Sequence, residues 1–462
     1  MTWDKAPNNP AVADSFALTR DHLRRHILRL ALPAVVEQLL VTMVFLADTL
    51  LIGWLKDPAA LAAVSLGGLF LNAANQLFSA VSVAASAFVA HSWGARDFER
   101  ARRVSAQAVQ LSVVLAMAAI AILWPLANTL MAWMGATARA TTLGALYMRV
   151  ILLTSLLGFP MVVLNGIMRG AGDTRTPMNI TLAMNVWNVV AAVALIFGVG
   201  PLPRMGLAGA AIATASARLF GGLLALYVVT SGRGVLRIDW RPVLRWDRGL
   251  VARMLRLSLP SAAESVVMRM GFILFTRIVS SLGEASLAAH QIAINVESLS
   301  FMPGFGVSVA SATLVGQSLG AKDPDLAEES IHACMRISLV VMGAVGIVFA
   351  LFGPSLSALF GSTPEVLTLA GNAVRIGALE QLPIAVQMVI AGSLRGAGDT
   401  KTPLFATLLG TLAFRVPIVY LFAVVFRWGL NGVWLGTAVD WTARAALLYL
   451  LFRRGAWKTL KL

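Results

Sequence analysis

Two carboxylates, Glu37 and Asp48, lie within one strongly apolar stretch of the chain, residues 29–55. An ionisable side chain in a stretch that crosses a membrane is costly and is usually functional. The helix turns by about 1100° between the two acids, so they share one face, about 16 Å apart along the axis. This face predicts a path for cations or protons that includes Asp48. The alternative for Glu37 is an acid near the cytoplasmic surface that a nearby arginine neutralises.

The second half of the chain holds further polar side chains in apolar stretches. Arg415 and Asp440 lie at the same calculated depth, about 18–20 Å from the same end of two consecutive stretches, which predicts an ion pair. His290 is more typical of a packed polar contact than of a proton relay. The side chains that could line a substrate cavity are Glu264, Glu380, Glu297, Gln387, Phe301, Met302 and Phe305.

Patterns typical of covalent chemistry are missing from the sequence. We find no metal-ligand spacing, nucleophile triad or phosphate-binding loop, so the sequence does not indicate an enzyme, and it indicates no cofactor other than a coupling ion. The one cysteine, Cys334, lies in an apolar stretch and excludes an internal disulfide. We interpret it as a packing residue.

The composition places these side chains in a lipid bilayer. Of the 462 residues, 58% are hydrophobic and only 13% are charged, whereas soluble domains carry about 25% charged residues. A helix needs about 20 apolar residues to cross the bilayer. The sequence therefore predicts an all-α integral membrane protein with twelve transmembrane helices, at residues 29–55, 61–90, 104–128, 145–168, 177–198, 206–230, 252–281, 286–316, 331–356, 366–394, 403–427 and 430–452.

The net charge of the chain is +15, and its basic residues are distributed unevenly among the loops. Basic residues crowd alternate loops, including those at Arg102 and Arg169 and the central loop at 231–251, whereas the loops near Arg139 and Arg204 hold few. An excess of Lys and Arg is typical of cytoplasmic loops. We therefore expect both termini to be cytoplasmic, and the basic charge does not indicate nucleic-acid binding.

The nonapeptide RGAGDTRTP at residues 169–177 returns as RGAGDTKTP at residues 395–403. At the same separation, AVSVAASAFVAHSWGARD (80–97) matches GVSVASATLVGQSLGAKD (306–323). The chain is therefore a duplication of six helices. Because six is even, both bundles enter the membrane from the same side as parallel repeats. Such repeats are typical of transporters that work by alternating access.

The repeat predicts five segments along the chain. They are an N-terminal amphipathic segment at 1–28, an N-lobe at 29–230, a cytoplasmic linker at 231–251, a C-lobe at 252–452 and a cytoplasmic tail at 453–462. Within the first segment, residues 14–29 predict a short amphipathic helix on the inner membrane surface.

The repeated nonapeptide predicts a cytoplasmic turn between two helices. Gly170 and Gly172 permit a sharp backbone path. Asp173 or Thr174 can cap the helix that follows, and Pro177 suits its first turn. Each bundle would therefore contain one such turn.

Further motifs accompany the paired turns, namely LADTLLIGWL in the first helix, LAAHQIA and FMPGFGVSVA in the eighth and NGVWLGTAVD in the twelfth. With them the sequence resembles the multidrug and toxic compound extrusion (MATE) family over essentially the whole chain. The resemblance implies an antiporter of two six-helix lobes that exports amphipathic, often cationic drugs in exchange for Na⁺ or H⁺. It also implies a cation site in the N-lobe, where Asp48, Asn188 and Thr214 match the family's acid, asparagine and threonine.

The sequence departs from the family pattern at several acidic positions. Some members carry a second N-lobe aspartate where Ala192 stands, and others carry C-lobe acids that align with Met268 and Ile384. Phe275 stands where Asp48 would repeat, so the N-lobe is the better candidate for ion coupling. A dehydrated Na⁺ needs several oxygen ligands and a proton needs one carboxylate, so H⁺ is favoured, with Na⁺ as the alternative. We expect a monomer in the bacterial inner membrane whose partners are the bilayer and a small amphipathic substrate.

Three other classes are alternatives. A major-facilitator transporter also has twelve helices and a parallel repeat, but GARDFERARR (94–103) lacks the inner glycine of its basic loop and the nonapeptide has no place there. A lipid or polysaccharide flippase of the same superfamily is the stronger alternative, although neither extra helices nor a broad basic cavity is evident. A membrane-bound enzyme would need a catalytic constellation, which the sequence does not contain.

Overall fold

The computed structural model describes residues 23–55, 57–199, 203–232, 234–238, 246–460 and 462. Within these ranges the chain forms twelve long helices and no strand, which confirms the predicted fold class. The helices are α1 (Leu23–Gly53), α2 (Pro58–Gly94), α3 (Phe98–Trp133), α4 (Ala138–Gly170), α5 (Arg175–Phe197), α6 (Leu207–Ser231), α7 (Arg248–Ser280), α8 (Glu284–Gly320), α9 (Pro324–Ala358), α10 (Pro364–Ala397), α11 (Lys401–Val425) and α12 (Gly429–Arg453).

Ten of these helices are long and apolar enough to cross a membrane. The other two, α7 and α12, carry charged side chains near their middle, which lower their hydropathy. Glu264 on α7 and Asp440 on α12 are both buried and paired with arginines. Because these charges are satisfied inside the protein, α7 and α12 can also cross the bilayer.

Several helices begin before the apolar stretch that predicted them. Helix α2 begins at Pro58 rather than residue 61, and α3 begins at Phe98 rather than residue 104. The side chains of Asp57 and Asp97 accept hydrogen bonds from backbone amides of these first turns, at 3.0 Å and 2.9 Å. Such caps stabilise a helix beyond the hydrocarbon region, where hydropathy provides no signal.

The described residues fall into two compact units. The first contains residues 36–255, and the second contains residues 23–35 together with residues 256–462. The predicted lobes, 29–230 and 252–452, differ from these units because they assign all of α1 to the first lobe and all of α7 to the second. In the structure the first turns of α1 pack in the second unit, where Ile27 and Leu30 join an apolar cluster.

The duplication is visible in the packing of each unit. Ser82 on α2 donates a hydrogen bond to a carbonyl of α4 at 2.9 Å, and Ser308 on α8 donates to a carbonyl of α10 at 2.8 Å. Gly166 and Gly392 allow these close contacts, because a Cβ at either position would lie within 2.8 Å of the facing serine backbone. Small residues and interhelical hydrogen bonds are typical of helix packing in membranes.

The repeated nonapeptides form the same turn in both units, after α4 and after α10. Gly172 and Gly398 have φ angles of +90° and +92°, which favour glycine. Of the two predicted capping residues, the aspartate makes the observed cap bond. Asp173 accepts from the amide of Thr176 at 2.9 Å, and Asp399 repeats the bond at 3.0 Å.

Parts of the predicted polar segments lie outside the described residues. These parts are residues 1–22 of the N-terminal amphipathic segment and residues 233 and 239–245 of the linker. In the tail, a short helix (Ala456–Thr459) follows α12 and buries Trp457. The ring of Trp457 stacks on Phe452 with a centroid distance of 5.4 Å.

Candidate ion and substrate sites

The first unit brings together the three residues that the family resemblance assigns to a cation site. Thr214 Oγ1 on α6 donates to Asp48 Oδ2 on α1 at 3.3 Å. Asn188 Nδ2 on α5 donates to Thr214 Oγ1 at 3.4 Å. Asn188 and Thr214 are buried, Asp48 is half-buried, and Asn188 Oδ1 is buried without a hydrogen-bond partner. The cluster therefore offers one carboxylate and one free amide oxygen to a small cation or a proton.

A second asparagine holds α1 beside α5. Asn185 lies one turn before Asn188, and its Nδ2 donates to the carbonyl oxygen of Leu40 at 2.6 Å. Leu40 is about two helical turns before Asp48 on α1. This interhelical bond therefore holds α1 against α5 about two turns from Asp48.

Two side chains that the sequence analysis did not select extend this cluster. Arg218 lies one turn after Thr214 on α6, within electrostatic range of Asp48. Tyr147 is buried on α4, within hydrogen-bonding reach of Thr214. The first unit thus places a carboxylate and a guanidinium near each other, beside Asn188, Thr214 and Tyr147.

Glu37 is occupied by an ion pair. Arg169, the first residue of the nonapeptide, donates through Nη1 to both carboxylate oxygens of Glu37, at 2.9 Å and 3.0 Å. Asn165 Nδ2 donates to Glu37 Oε1 at 3.4 Å. Two interpretations of Glu37 were possible from the sequence, a residue of a proton path and an acid near the cytoplasmic surface that an arginine neutralises. This arrangement favours the second.

The second unit repeats this pair. Arg395, the first residue of the second nonapeptide, donates through Nη2 to both carboxylate oxygens of Glu264, at 2.8 Å and 2.9 Å. Thr407 donates to the same carboxylate at 3.1 Å. Glu264, a predicted cavity residue, thus joins α7 to the last turn of α10 and to α11.

The predicted pair of Arg415 and Asp440 is present and has a third member. Arg415 Nε donates to Asp440 Oδ2 at 2.7 Å, and Arg444 donates to both oxygens of Asp440 at 2.7 Å. Arg444 also donates to Thr411 at 3.1 Å. Both guanidinium groups lie over the ring of Trp441, at 5.1 Å and 5.3 Å from its centroid. The second unit therefore contains a buried triad with two cations and one anion.

Two more acids of the second unit lie together near this triad. The carboxyl groups of Glu297 on α8 and Glu380 on α10 are within hydrogen-bonding reach of each other and within electrostatic range of Arg415. Thr437 on α12 donates a hydrogen bond to Glu380. Because two adjacent carboxylates repel each other strongly, such a pair is stable when its two members share one proton.

The remaining cavity candidates are distributed differently. Phe301 packs against Trp441 with a centroid distance of 6.1 Å, and Met302 is buried. Gln387 is half-buried, and Phe305 is 39% exposed. Phe301 therefore lies beside the ring that Arg415 and Arg444 cover, next to the acid pair.

His290 lies in an aromatic environment. Its ring makes edge contacts with Phe275 at 5.0 Å and with Trp434 at 5.9 Å. Neither ring nitrogen has a hydrogen-bond partner. This packing agrees with an apolar contact better than with a relay, which would need a polar neighbour on each side.

A simple sequence signal could have found the residues that were missed. Arg218 and Arg444 both lie in predicted apolar spans, at 206–230 and 430–452. The rule that selected Asp48, that an ionisable residue in such a span is usually functional, applies equally to arginine. Arg218 and Arg444 therefore carry the same signal in the sequence as Asp48 and Arg415.

Two parallel six-helix repeats with ionisable clusters inside their apolar bundles define a multi-pass membrane transporter rather than an enzyme. The MatE family model matches the chain twice, over residues 33–194 and 260–421, once in each copy of the repeat. The protein therefore belongs to the MatE family.

Similar proteins and structures agree with this assignment. The chain is 32% identical to the probable multidrug resistance protein NorM of Thermotoga maritima, with 94% of this chain and 93% of that protein covered. It is 28% identical to the multidrug resistance protein PmpM of Pseudomonas aeruginosa, with 97% and 95% covered. A crystal structure of MATE in complex with MaD3S superimposes with a TM-score of 0.88 at 26% identity, covering 95% of this chain and 97% of that one.

Proposed function

We propose that the protein is a secondary active antiporter that exports amphipathic, mainly cationic compounds in exchange for protons by alternating access. Its membership of the MatE family and its similarity to multidrug resistance proteins support drug export. The observation that carries the coupling proposal is the half-buried carboxylate of Asp48 beside Thr214 and Asn188. Asp48 takes up a proton from the outside, becomes neutral, and releases the bound cation.

The surroundings of Asp48 favour a proton over Na⁺. Ala192, at the position of the second aspartate of some relatives, is buried in an apolar cluster and supplies no oxygen ligand. Arg218 places a positive charge within electrostatic range of the carboxylate, which opposes the binding of Na⁺ and of H⁺ alike, so the number of available ligands decides between the two ions. A proton needs one carboxylate oxygen, whereas Na⁺ would need further ligands from water or backbone carbonyls.

The acid pair of the second unit is a second proton-binding position in this proposal. Arg415 and Arg444 carry two positive charges, and Asp440 carries one negative charge, so one further ionised carboxylate makes the buried group neutral. A neutral group is favoured in a low-dielectric interior. Glu297 and Glu380 would therefore hold one proton between them and exchange it when water reaches the pair.

The uneven distribution of basic residues among the loops supports one orientation of the protein in the membrane. We propose that both termini and both nonapeptide turns face the cytoplasm of a bacterial cell and that the loops near Arg139 and Arg204 face outward. We further propose that the protein works as a monomer in the inner membrane. In the proposed orientation Asp48 lies about 16 Å farther from the cytoplasm than Glu37.

Transport by purified protein in liposomes separates drug export from lipid flipping. We expect movement of a fluorescent cationic dye and no protein-dependent movement of a headgroup-labelled phospholipid. The matched control is Asp48→Asn, which should stop dye movement at unchanged protein content. Movement of the lipid without movement of the dye would favour the flippase alternative.

A further inference from the structure

Helices α3 and α4 of the first unit form a groove of about 690 Å³ that the transport proposal does not use. Its polar lining comes from Asn128 near the end of α3 and from Thr141, Thr142 and Arg149 on α4, and Leu146 adds an apolar wall. Asn128, Thr142 and Leu146 are exposed on the outer surface of the unit, and Arg149 is half-buried. The groove is therefore open to the surroundings of the helices, which in a membrane protein are lipids.

The position of Arg149 along α4 corresponds to a membrane boundary. Arg169, on the same helix, lies at the nonapeptide end, 20 residues after Arg149. Twenty helical residues span about 30 Å, which is the thickness of the hydrocarbon core. Trp124 lies beside Arg149, and Trp133 is 78% exposed at the end of α3. Tryptophans are enriched at membrane interfaces, so Arg149 lies at the headgroup level opposite the nonapeptide turns.

Arg149 is held in place but is not neutralised. Its Nε donates to the carbonyl oxygen of Trp124 at 3.3 Å, which anchors the guanidinium beside the groove. In the described part of the chain no carboxylate lies within ion-pair distance of it, whereas the neighbouring Arg139 pairs with Asp57 at 2.7 Å. Its two Nη groups and the Asn128 amide are the donors that a phosphate oxygen accepts from.

We propose that this groove binds the phosphodiester headgroup of an anionic phospholipid from the leaflet opposite the nonapeptide turns. Arg149 and Asn128 contact the phosphate, and an acyl chain lies along Leu146. A cationic substrate is disfavoured there because Arg149 has the same sign of charge. The bound lipid would join α3 to α4 on the surface of the unit that contains Asp48.

The test is lipid binding by purified protein in a neutral detergent, measured by native mass spectrometry during titration with phosphatidylglycerol. We expect Arg149→Gln to bind the lipid roughly tenfold more weakly, as expected for the loss of a charge-assisted hydrogen bond. Arg149→Lys should recover part of the affinity. Arg204→Gln, which removes an exposed charge outside the groove, is the matched control and should bind as the wild type does.

A second variant tests the groove if Arg149→Gln does not fold, and two further ligands identify which part of the lipid binds. Ala132→Phe fills the groove and keeps Arg149, and it should also lose the lipid. Diacylglycerol without a phosphate should bind weakly, and inorganic phosphate should not displace phosphatidylglycerol at equal concentration. Wild-type lipid affinity in Ala132→Phe or Arg149→Gln, or equal competition by inorganic phosphate, would overturn the proposal.

Discussion

At the scale of single residues, the charges inside this protein differ in how completely they are satisfied. Glu37 and Glu264 each accept two hydrogen bonds from an arginine guanidinium group, and Asp440 accepts three from two such groups. Asp48 accepts from Thr214, and its nearest guanidinium makes no ion pair with it among the described residues. A carboxylate without a fixed counter-ion changes its protonation more readily than a paired one, so we propose that coupling depends on Asp48.

Substitution of Asp48 by asparagine should abolish transport and preserve folding. Asparagine keeps the size of the side chain and can still accept a hydrogen bond from Thr214, but it cannot gain or lose a proton. Dye efflux from cells and the amount of monodisperse purified protein are the two measurements. Efflux at the wild-type rate would remove Asp48 from the mechanism.

Removing the carboxylate of a repeated ion pair should destabilise the protein. Glu37→Gln removes the carboxylate that pairs with Arg169, whose side chain is 19% exposed. We expect a loss of about 1–3 kcal/mol, discounted for partial exposure from the range for fully buried pairs. Glu264→Gln should behave similarly because it leaves Arg395 unpaired.

The readout for this loss is the thermal midpoint of unfolding in detergent. Asp57→Asn is the matched control, since the Arg139 side chain of that pair is 72% exposed and asparagine can still cap α2. Equal shifts in Glu37→Gln and Asp57→Asn would contradict a structural role for the buried pair.

At the scale of elements, the nonapeptide forms the same turn in both copies of the repeat. Its arginine pairs with an acid one turn after a proline of α1 or α7, its second glycine has a positive φ angle, and its aspartate caps the next helix. The arginine thus satisfies a buried charge, and the aspartate satisfies a free helix end. This explains why both copies of the repeat contain nearly the same nine residues.

Replacing Gly172 by alanine should strain this turn. A residue with a Cβ at φ = +90° is disfavoured, and we expect a loss of about 1 kcal/mol or more. The matched control is Gly68→Ala in the middle of α2, where a Cβ meets no atom within 4 Å and helix propensity improves. Thermal unfolding of both variants is the measurement, and a stabilised Gly172→Ala would show that the turn differs from the one described.

The interior of α11 shows where sequence reasoning at this scale failed. Hydropathy predicted a regular helix at 403–427, but residues Gly410–Arg415 form a π-helical segment that includes Arg415. A Cβ on Gly410 would lie 2.2 Å from Arg444 Nε, so this glycine makes room for the triad. The contact of Gly410 with Arg444 joins α11 to α12. The residue pattern of one helix alone cannot predict such a contact.

At the scale of the whole molecule, the repeat and the hydropathy were sufficient to predict twelve helices. Both follow from local composition, because each span must bury about 20 apolar residues in lipid. The pairing of Arg415 with Asp440 was predictable because both depths could be counted from helix ends. The partners of Glu37, Glu264 and Arg444 were not, because they depend on which helix faces which.

The predicted orientation can be tested by labelling introduced cysteines in intact cells after Cys334→Ala. An impermeant thiol reagent should label a cysteine at position 139 and should not label one at position 175, because basic loops are retained in the cytoplasm. Labelling after cell lysis controls for accessibility of both positions. The reverse pattern would invert the topology.

The coupling ion is the central claim, and transport from proteoliposomes under imposed gradients tests it most directly. Protein in liposomes is given a pH gradient without Na⁺, and then a Na⁺ gradient at equal pH, while efflux of a cationic dye is followed. We predict efflux driven by the pH gradient and lost in Asp48→Asn. Efflux driven only by the Na⁺ gradient would contradict the account and would mean that other oxygen ligands complete a Na⁺ site at Asp48.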